Sequence, residues 1–187
     1  MTALEAYELT THGGGKDFAL LIDVCRALGP YCLVGGLAVN AYVEPVYTLD
    51  ADLVAVGATL PQLAAYLEEQ GFKIEKHRHS LNAVAASNLR IQFTTDERYQ
   101  AFPGRSIEAE VFEVKVQVAS LEDVTQDKLW AYSDPQRRFS KHKKDELDLV
   151  RLAEGYPHLK AMYPQALRQM IEQGEIDRNQ PPTKRVP

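Results

Sequence analysis

The sequence predicts an α+β domain with a helical C-terminal part, and three observations lead there. Helical and strand-like segments alternate through roughly the first half of the chain, extended segments follow, and helical periodicity takes over towards the end. At 187 residues the chain is long enough for one domain plus an appendage, with a real hydrophobic core. Its composition, 45% hydrophobic and 25% charged, excludes a collagen-like, coiled-coil or disordered polypeptide.

A helix is expected over about Lys16 to Leu28, where Phe18, Leu21, Ile22 and Cys25 share a face, with Gly13-Gly14-Gly15 as a flexible lead-in. Gly29-Pro30 stops it. Tyr31 to Val34 reads as a short apolar strand closed by Gly35-Gly36, and a short helix from Leu37 to about Tyr42 ends before Pro45. From Leu49 to Val56 the chain alternates and then turns wholly apolar, as a strand entering a sheet core does. Thr59-Leu60-Pro61 pairs an N-cap candidate with a first-turn proline, opening a helix to Gln70 that Gly71 ends. Phe72 to His77 is a strand, and Leu81–Ala86 and Leu89–Thr94 form a hairpin about Ser87-Asn88.

Asp96 to Ser106 is expected as a loop or short helix. Within the extended segment from Ile107 to Val118 the alternation changes phase between Val111 and Phe112, which calls for a bulge or turn. Ser120, with Asp123 three residues on, starts a helix to about Tyr132, which Asp134-Pro135 ends. A basic loop leads into a helix from about Lys141 to Glu154, stopped by Gly155 and Pro157. The last helix spans about Tyr163 to Gln173, and the Pro- and charge-rich tail from Gly174 should be frayed. The expected organisation is thus a core over 1–119, a helical part over 120–173 and a flexible tail over 174–187.

Net charge is −5, from 21 Lys+Arg against 26 Asp+Glu, which argues against a protein coated in basic charge for general DNA binding. The two cysteines, Cys25 and Cys32, lack C-x-x-C spacing, so neither a disulfide framework nor a zinc module is expected. No basic-then-apolar leader opens the chain, and no apolar run approaches the ~20 residues needed to cross a bilayer. A soluble protein of the cytoplasm, with no membrane partner, is the expectation.

The most informative segment is Val34-Gly35-Gly36 followed by Thr48-Leu49-Asp50-Ala51-Asp52-Leu53. Strand alternation puts Asp50 and Asp52 on one face, with Cα atoms about 6.6 Å apart, and turns Leu49, Ala51 and Leu53 the other way. Side-by-side carboxylates repel, and one should take up a proton unless a cation sits between them. Mg²⁺ suits such a pair, completing its shell with water and substrate phosphate. The glycines lie where a strand feeds a helix, so backbone N–H groups can approach a phosphate. Either feature alone fits the wet face of an ordinary strand; their combination points to phosphoryl or nucleotidyl transfer.

A second constellation lies in the C-terminal helices. Lys128 falls in the apolar stripe of Leu121, Val124, Ala131 and Tyr132, so it either snorkels past the core or reaches into a site. Asp145 and Asp148 share a side with Leu149 and Leu152, and acids on a core-facing side need partners, which Lys128 or a polar site would supply. Arg137, Arg138, Lys141, His142, Lys143 and Lys144 form a basic cluster, suited to a triphosphate or an RNA backbone and equally to a solvated loop. His77 and His79 have strand spacing but no third metal ligand, so they read as a surface strand end.

Gly35-Gly36 followed by Thr48-x-Asp50-x-Asp52 resembles the signature of the nucleotidyltransferase superfamily. Leu121-Glu122-Asp123 through Lys128, then Lys143-Lys144-Asp145-x-x-Asp148-Leu149, resembles its AbiEii-type branch, which includes toxins of bacterial toxin–antitoxin pairs. The resemblance spans about Tyr31 to Leu152. It implies a nucleotidyltransferase fold, a small mixed sheet flanked by helices, and transfer of NMP from an NTP to an acceptor hydroxyl with Mg²⁺ or Mn²⁺ as cofactor. The acceptor would be an RNA end, a protein or a small molecule, and an antitoxin is a further partner. By position it implies Asp50 and Asp52 as metal ligands and Gly35, Gly36, Lys128 and Lys144 as nucleotide-binding residues. Asp145 would orient Lys128 or the acceptor, with Asp148 beside it.

Two departures stand out. Val46 occupies a position that is often basic, and Gln92, in Arg90-Ile91-Gln92-Phe93, stands where a third metal carboxylate is expected on a later strand. An amide coordinates a cation only weakly, which leaves three readings: one metal site is weak, Asp96 or Glu110 substitutes, or the enzyme is impaired. The alternative is a catalytically impaired module of the same fold, binding a nucleotide or partner without turnover.

Overall fold

The computed structural model describes residues 3–56, 59–77 and 80–179. Seven strands run through it: β1 (Tyr31–Val34), β2 (Asp50–Ala55), β3 (Lys73–Lys76), β4 (Ser80–Val84), β5 (Arg90–Thr94), β6 (Ile107–Val111) and β7 (Val114–Val118). They form one mixed sheet in the order β3-β4-β5-β2-β1-β7-β6. The β1–β2, β3–β4, β4–β5 and β6–β7 pairs are antiparallel, whereas β2–β5 and β1–β7 are parallel. The α+β class, the small mixed sheet and the helical C-terminal part thus agree with expectation.

Among the described residues seven α-helices accompany the sheet: α1 (Ala3–Thr11), α2 (Gly14–Leu28), α3 (Gly35–Asn40), α4 (Leu60–Glu69), α5 (Leu121–Ser133), α6 (Phe139–Gly155) and α7 (Gln165–Asn179). Residues 97–99, 102–105 and 157–162 are single 3₁₀ segments. In β2, Ala51 and Leu53 are fully buried while Asp50 and Asp52 face the other way; in β5, Ile91 and Phe93 are buried while Arg90 and Gln92 are exposed. One sheet face therefore carries the core, and the other is polar over β2, β5 and β4. None of the described helices is long and apolar enough to cross a membrane.

Several boundaries differ from the sequence reading. Gly14 and Gly15 are no flexible lead-in but buried residues of α2, because α1 packs against that helix start. A Cβ on Gly14 would lie 2.4 Å from Thr11 Oγ1, and one on Gly15 would lie 2.3 Å from Glu8 Oε1. Thr59 sits at the N-cap of α4 but its hydroxyl donates to the Val56 carbonyl instead of capping. Helix α3 begins at Gly35, directly after the strand. Helix α7 continues through Gly174 to Asn179, so the first part of the expected tail is helical, while 180–187, like Arg78 and His79, lie outside the described residues.

Candidate active site

The β1–α3 turn and β2 meet at a pair of carboxylates. Gly35, at φ +69°, passes so close to Asp52 that a Cβ there would lie 2.3 Å from Asp52 Oδ2. Only glycine combines that backbone conformation with that approach. Gly36 lies against Thr48, where a Cβ would come within 3.4 Å of the hydroxyl oxygen. Above them opens a cleft of about 1360 Å³, lined by Asp50, Asp52, Gln92, Asp127, Lys128 and Lys141 among others. That volume has room for a nucleotide and part of an acceptor.

The two carboxylates have different neighbours. Asp50 Oδ2 lies 2.9 Å from Lys141 Nζ at the start of α6. Burial pushes the Asp52 carboxyl up to about 6, helped by the charges of Asp127 and then Asp50. Lys144 donates to Thr48 Oγ1 at 3.1 Å, and burial, with the charges of Lys128 and Lys141, lowers its ammonium below the usual lysine range. The helix expected from about Lys141 begins at Phe139, and α6 delivers Lys141 and Lys144 to Asp50 and Thr48.

Lys128 and the α6 acids form a buried chain of charges. Lys128 Nζ lies 3.1 Å from Asp145 and 2.8 Å from Asp148, Asp145 also pairs with Arg137 at 2.8 Å, and Asp148 with Arg151 at 2.8 Å. Burial alone would lower the lysine, but the charges of Asp148, Asp127 and Asp145 outweigh it and raise it. The predicted partnership between Lys128 and the two acids is therefore present, with the lysine at the cleft wall and its ammonium held by them.

The position of Gln92 is fixed by register, since it pairs with Asp52 in the parallel β2–β5 ladder. Neither substitute acid reaches that place. Asp96 grips Arg98 at 2.6–3.1 Å, and Glu110 lies on the edge strand β6, beyond β1 and β7. An acid that sequence reading missed does line the cleft. Asp127 accepts from the Gly35 N–H at 3.2 Å and from the Tyr99 hydroxyl at 2.8 Å, and burial raises its carboxyl against the opposing charge of Lys128. Its signal lay in helical spacing: Asp123, Asp127 and Trp130 share a face of α5 that meets Arg105, Tyr99 and Phe102 of the two 3₁₀ segments.

Two same-face carboxylates beside a phosphate-sized approach of glycine backbone fit a hard divalent cation that keeps waters and phosphate as its remaining ligands. Asp50 and Asp52 are the residues that would hold it. Among the described residues, no three His, Cys, Asp or Glu side chains are grouped to hold a metal.

The family model described as "Nucleotidyl transferase AbiEii toxin, Type IV TA system" matches residues 28–186. The chain belongs to the AbiEii nucleotidyltransferase family. The match extends past Leu152, where the recognisable motifs stop, and takes in the C-terminal helices. Comparison with curated proteins returns no match. Among solved structures, ANT(2")-Ia in complex with adenylyl-2"-tobramycin is similar at a TM-score of 0.59 and 19% identity, covering 87% of this chain and 98% of that one. The lincosamide antibiotic adenylyltransferase LnuA, lincomycin-bound, gives 0.53 and 16%, over 73% and 94%. An antigenic nucleotidyltransferase-like protein from Paracoccidioides brasiliensis gives 0.53 and 18%, over 88% of both chains. At such identities the likeness establishes the fold, so this AbiEii member has a nucleotidyltransferase fold.

Proposed function

We propose that this AbiEii member moves NMP from an NTP to an acceptor hydroxyl in a reaction that depends on Mg²⁺ or Mn²⁺, with Asp50 and Asp52 as the metal ligands. The observation that carries the reading is the Asp50–Asp52 pair, set against Gly35 in a cleft that Lys128 and Lys141 also line. The cation, when bound, would offset the repulsion between the two carboxylates and polarise the phosphate for attack. Gly35 and Gly36 leave the triphosphate a close approach free of side chains, the Gly35 N–H itself being held by Asp127, while Lys144 and Lys141 supply charge from α6. Lys128 adds its charge from the cleft wall, oriented by Asp145 and Asp148. The acceptor is an RNA end, a protein or a small molecule, and in a toxin–antitoxin setting the antitoxin is a second partner. Both described cysteines are buried and free, which suits the cytoplasm.

Gln92 favours a second reading, a module that binds nucleotide without turnover, because the strand beside Asp52 offers no third acid. Calorimetric titration of each NTP with and without Mg²⁺, on wild type and on Asp50→Asn/Asp52→Asn, tests the site. Metal-dependent binding that disappears in the double variant is the expected result. Absence of binding to every NTP removes both readings, and binding without pyrophosphate release to any acceptor selects the second.

A further inference from the structure

Asp50 and Asp52 divide the cleft into two chemically different ends. Lys141 at Asp50 and Lys144 at Thr48 make the Asp50 end cationic. On the Asp52 side stand Gln92, paired in register with Asp52, and Asn82, paired in register with Gln92, whose buried Oδ1 has no hydrogen-bond partner. Asp127 supplies the acid there. Its Oδ2 takes the Gly35 N–H and its Oδ1 the Tyr99 hydroxyl, and Gly35 itself lies against Asp52. An ionised carboxylate has about four acceptor sites, so two donors orient it and leave capacity towards the cleft that it lines. Tyr99 is in turn braced edge-on by Trp130 at 5.2 Å, and the Arg98 guanidinium lies over the same indole at 4.7 Å.

Lys141 and Lys144 draw the phosphates to the Asp50 end, and on the Asp52 side Asp127, with Lys128 beside it, offers a carboxylate to the acceptor. We propose that Asp127 is the catalytic base of the transfer, receiving the proton of the acceptor hydroxyl, and that Tyr99 is the positioning residue that holds its carboxylate. The inference rests on the nucleotidyltransferase reading above and adds a base on the side of Asp52 where the neighbouring strand offers only the neutral Gln92. As the acceptor O–H proton passes to Asp127, the acceptor oxygen bonds to the α-phosphorus. The bond from that phosphorus to the β-bridging oxygen breaks, pyrophosphate leaves with the electron pair, and Asp127 later returns its proton to water. The carboxylate comes from a helix where a strand acid was expected, because the α5 face of Asp123, Asp127 and Trp130 is pinned to the 3₁₀ segments beside β5.

The test uses the full chain and two readouts: calorimetric binding of the Mg²⁺ complexes of ATP, GTP, CTP and UTP, and pyrophosphate release with water or a bacterial cell extract as acceptor. Asp127→Asn should bind NTP within about threefold of wild type and release pyrophosphate at least ~100-fold more slowly, the scale of a lost general base. Tyr99→Phe should lower kcat by about tenfold at unchanged KM for NTP, since it loosens the base without touching the nucleotide. Adding Gln92→Asp to Asp127→Asn should recover roughly tenfold by restoring a carboxylate beside Asp52. Release by Asp127→Asn within about threefold of wild type overturns the proposal, as does wild-type protein that binds NTP yet releases no pyrophosphate even to water. Should Asp127→Asn not fold, Tyr99→Phe decides, and an unchanged kcat rejects the assignment. Wild type that binds no NTP fails the underlying reading, an outcome the binding arm separates from failure of the base alone.

Discussion

Asp52 is a carboxylate in a place that opposes its charge, recessed at the cleft floor between Asp50 and Asp127. Its carboxyl is raised to about 6 by burial first and by its acidic neighbours second. A folded-state value above the unfolded one means the native protein binds that proton more tightly, so this residue's contribution to stability falls as pH rises from about 4 through 6. Above pH 6 wild type carries the full cost of the ionised group. Asp52→Asn, neutral and of the same shape, is therefore expected to stabilise the metal-free protein at pH 8 by about 1–2 kcal/mol, discounted for partial exposure to the cleft. Near pH 4 the gain should vanish. Thermal melts of both proteins in chelator at the two pH values check this, and an equal difference at both would show that Asp52 titrates normally. A site residue whose removal stabilises the fold while abolishing metal-dependent binding is what a strained functional carboxylate should give.

The β6–β7 hairpin makes the parallel point for an element. Its two central residues, Phe112 and Glu113, take φ of +52° and +63°, the left-handed pair that a two-residue turn needs and that glycine or asparagine usually supplies. Phe112 is retained because its ring stacks on Tyr7 at 3.9 Å and meets Phe18 edge-on at 5.8 Å, tying the hairpin to α1 and α2. Glu113 takes no part in that ring stack, so its backbone strain is the part that can be relieved. Glu113→Gly should stabilise by about 0.5–1 kcal/mol, read as a melting temperature some ~2–4 °C higher. In the sequence this turn was visible only as a change of phase between Val111 and Phe112, since the residues that ordinarily mark it are absent. The β4–β5 hairpin, carrying Ser87-Asn88, was legible because its turn chemistry and alternation agree. Gly14 and Gly15 misled for a related reason: glycine marks both flexibility and close approach, and only the packing of α1 tells which.

At the scale of the whole molecule, α5 and α6 are held to each other by the charge chain Arg137–Asp145–Lys128–Asp148–Arg151, and Arg151 ties them to Asn40 at the end of α3 and to the Glu44 carbonyl. The sequence showed two acids on the apolar side of α6 and a lysine in the stripe of α5, so the partnership was legible from helical periodicity. For Asp127 helical spacing gives only a face shared with Asp123 and Trp130; the partners that place it in the cleft, Tyr99 and Gly35, come from a 3₁₀ segment and a turn that no periodicity brings together. The chain also separates two lysines of the same cleft. Lys128 is buried between two carboxylates, and Lys128→Met leaves both short of a counter-charge, at a cost of about 3 kcal/mol even with the arginines in place. Lys141 pairs with Asp50 across a partly exposed gap, with side-chain exposures of 39% and 25%, so Lys141→Ala should change stability by less than ~1 kcal/mol. Its effect belongs to the site instead. Freed of the ammonium, Asp50 is open to a competing cation, and Mn²⁺ alone should bind more tightly by about 1 kcal/mol, roughly fivefold. Melting curves and Mn²⁺ calorimetry on the two variants separate the roles: Lys128→Met is expected to fall in stability, Lys141→Ala to gain cation affinity at unchanged stability. If Mn²⁺ binds Lys141→Ala no better than wild type, Lys141 does not compete for the place beside Asp50 that a metal would take.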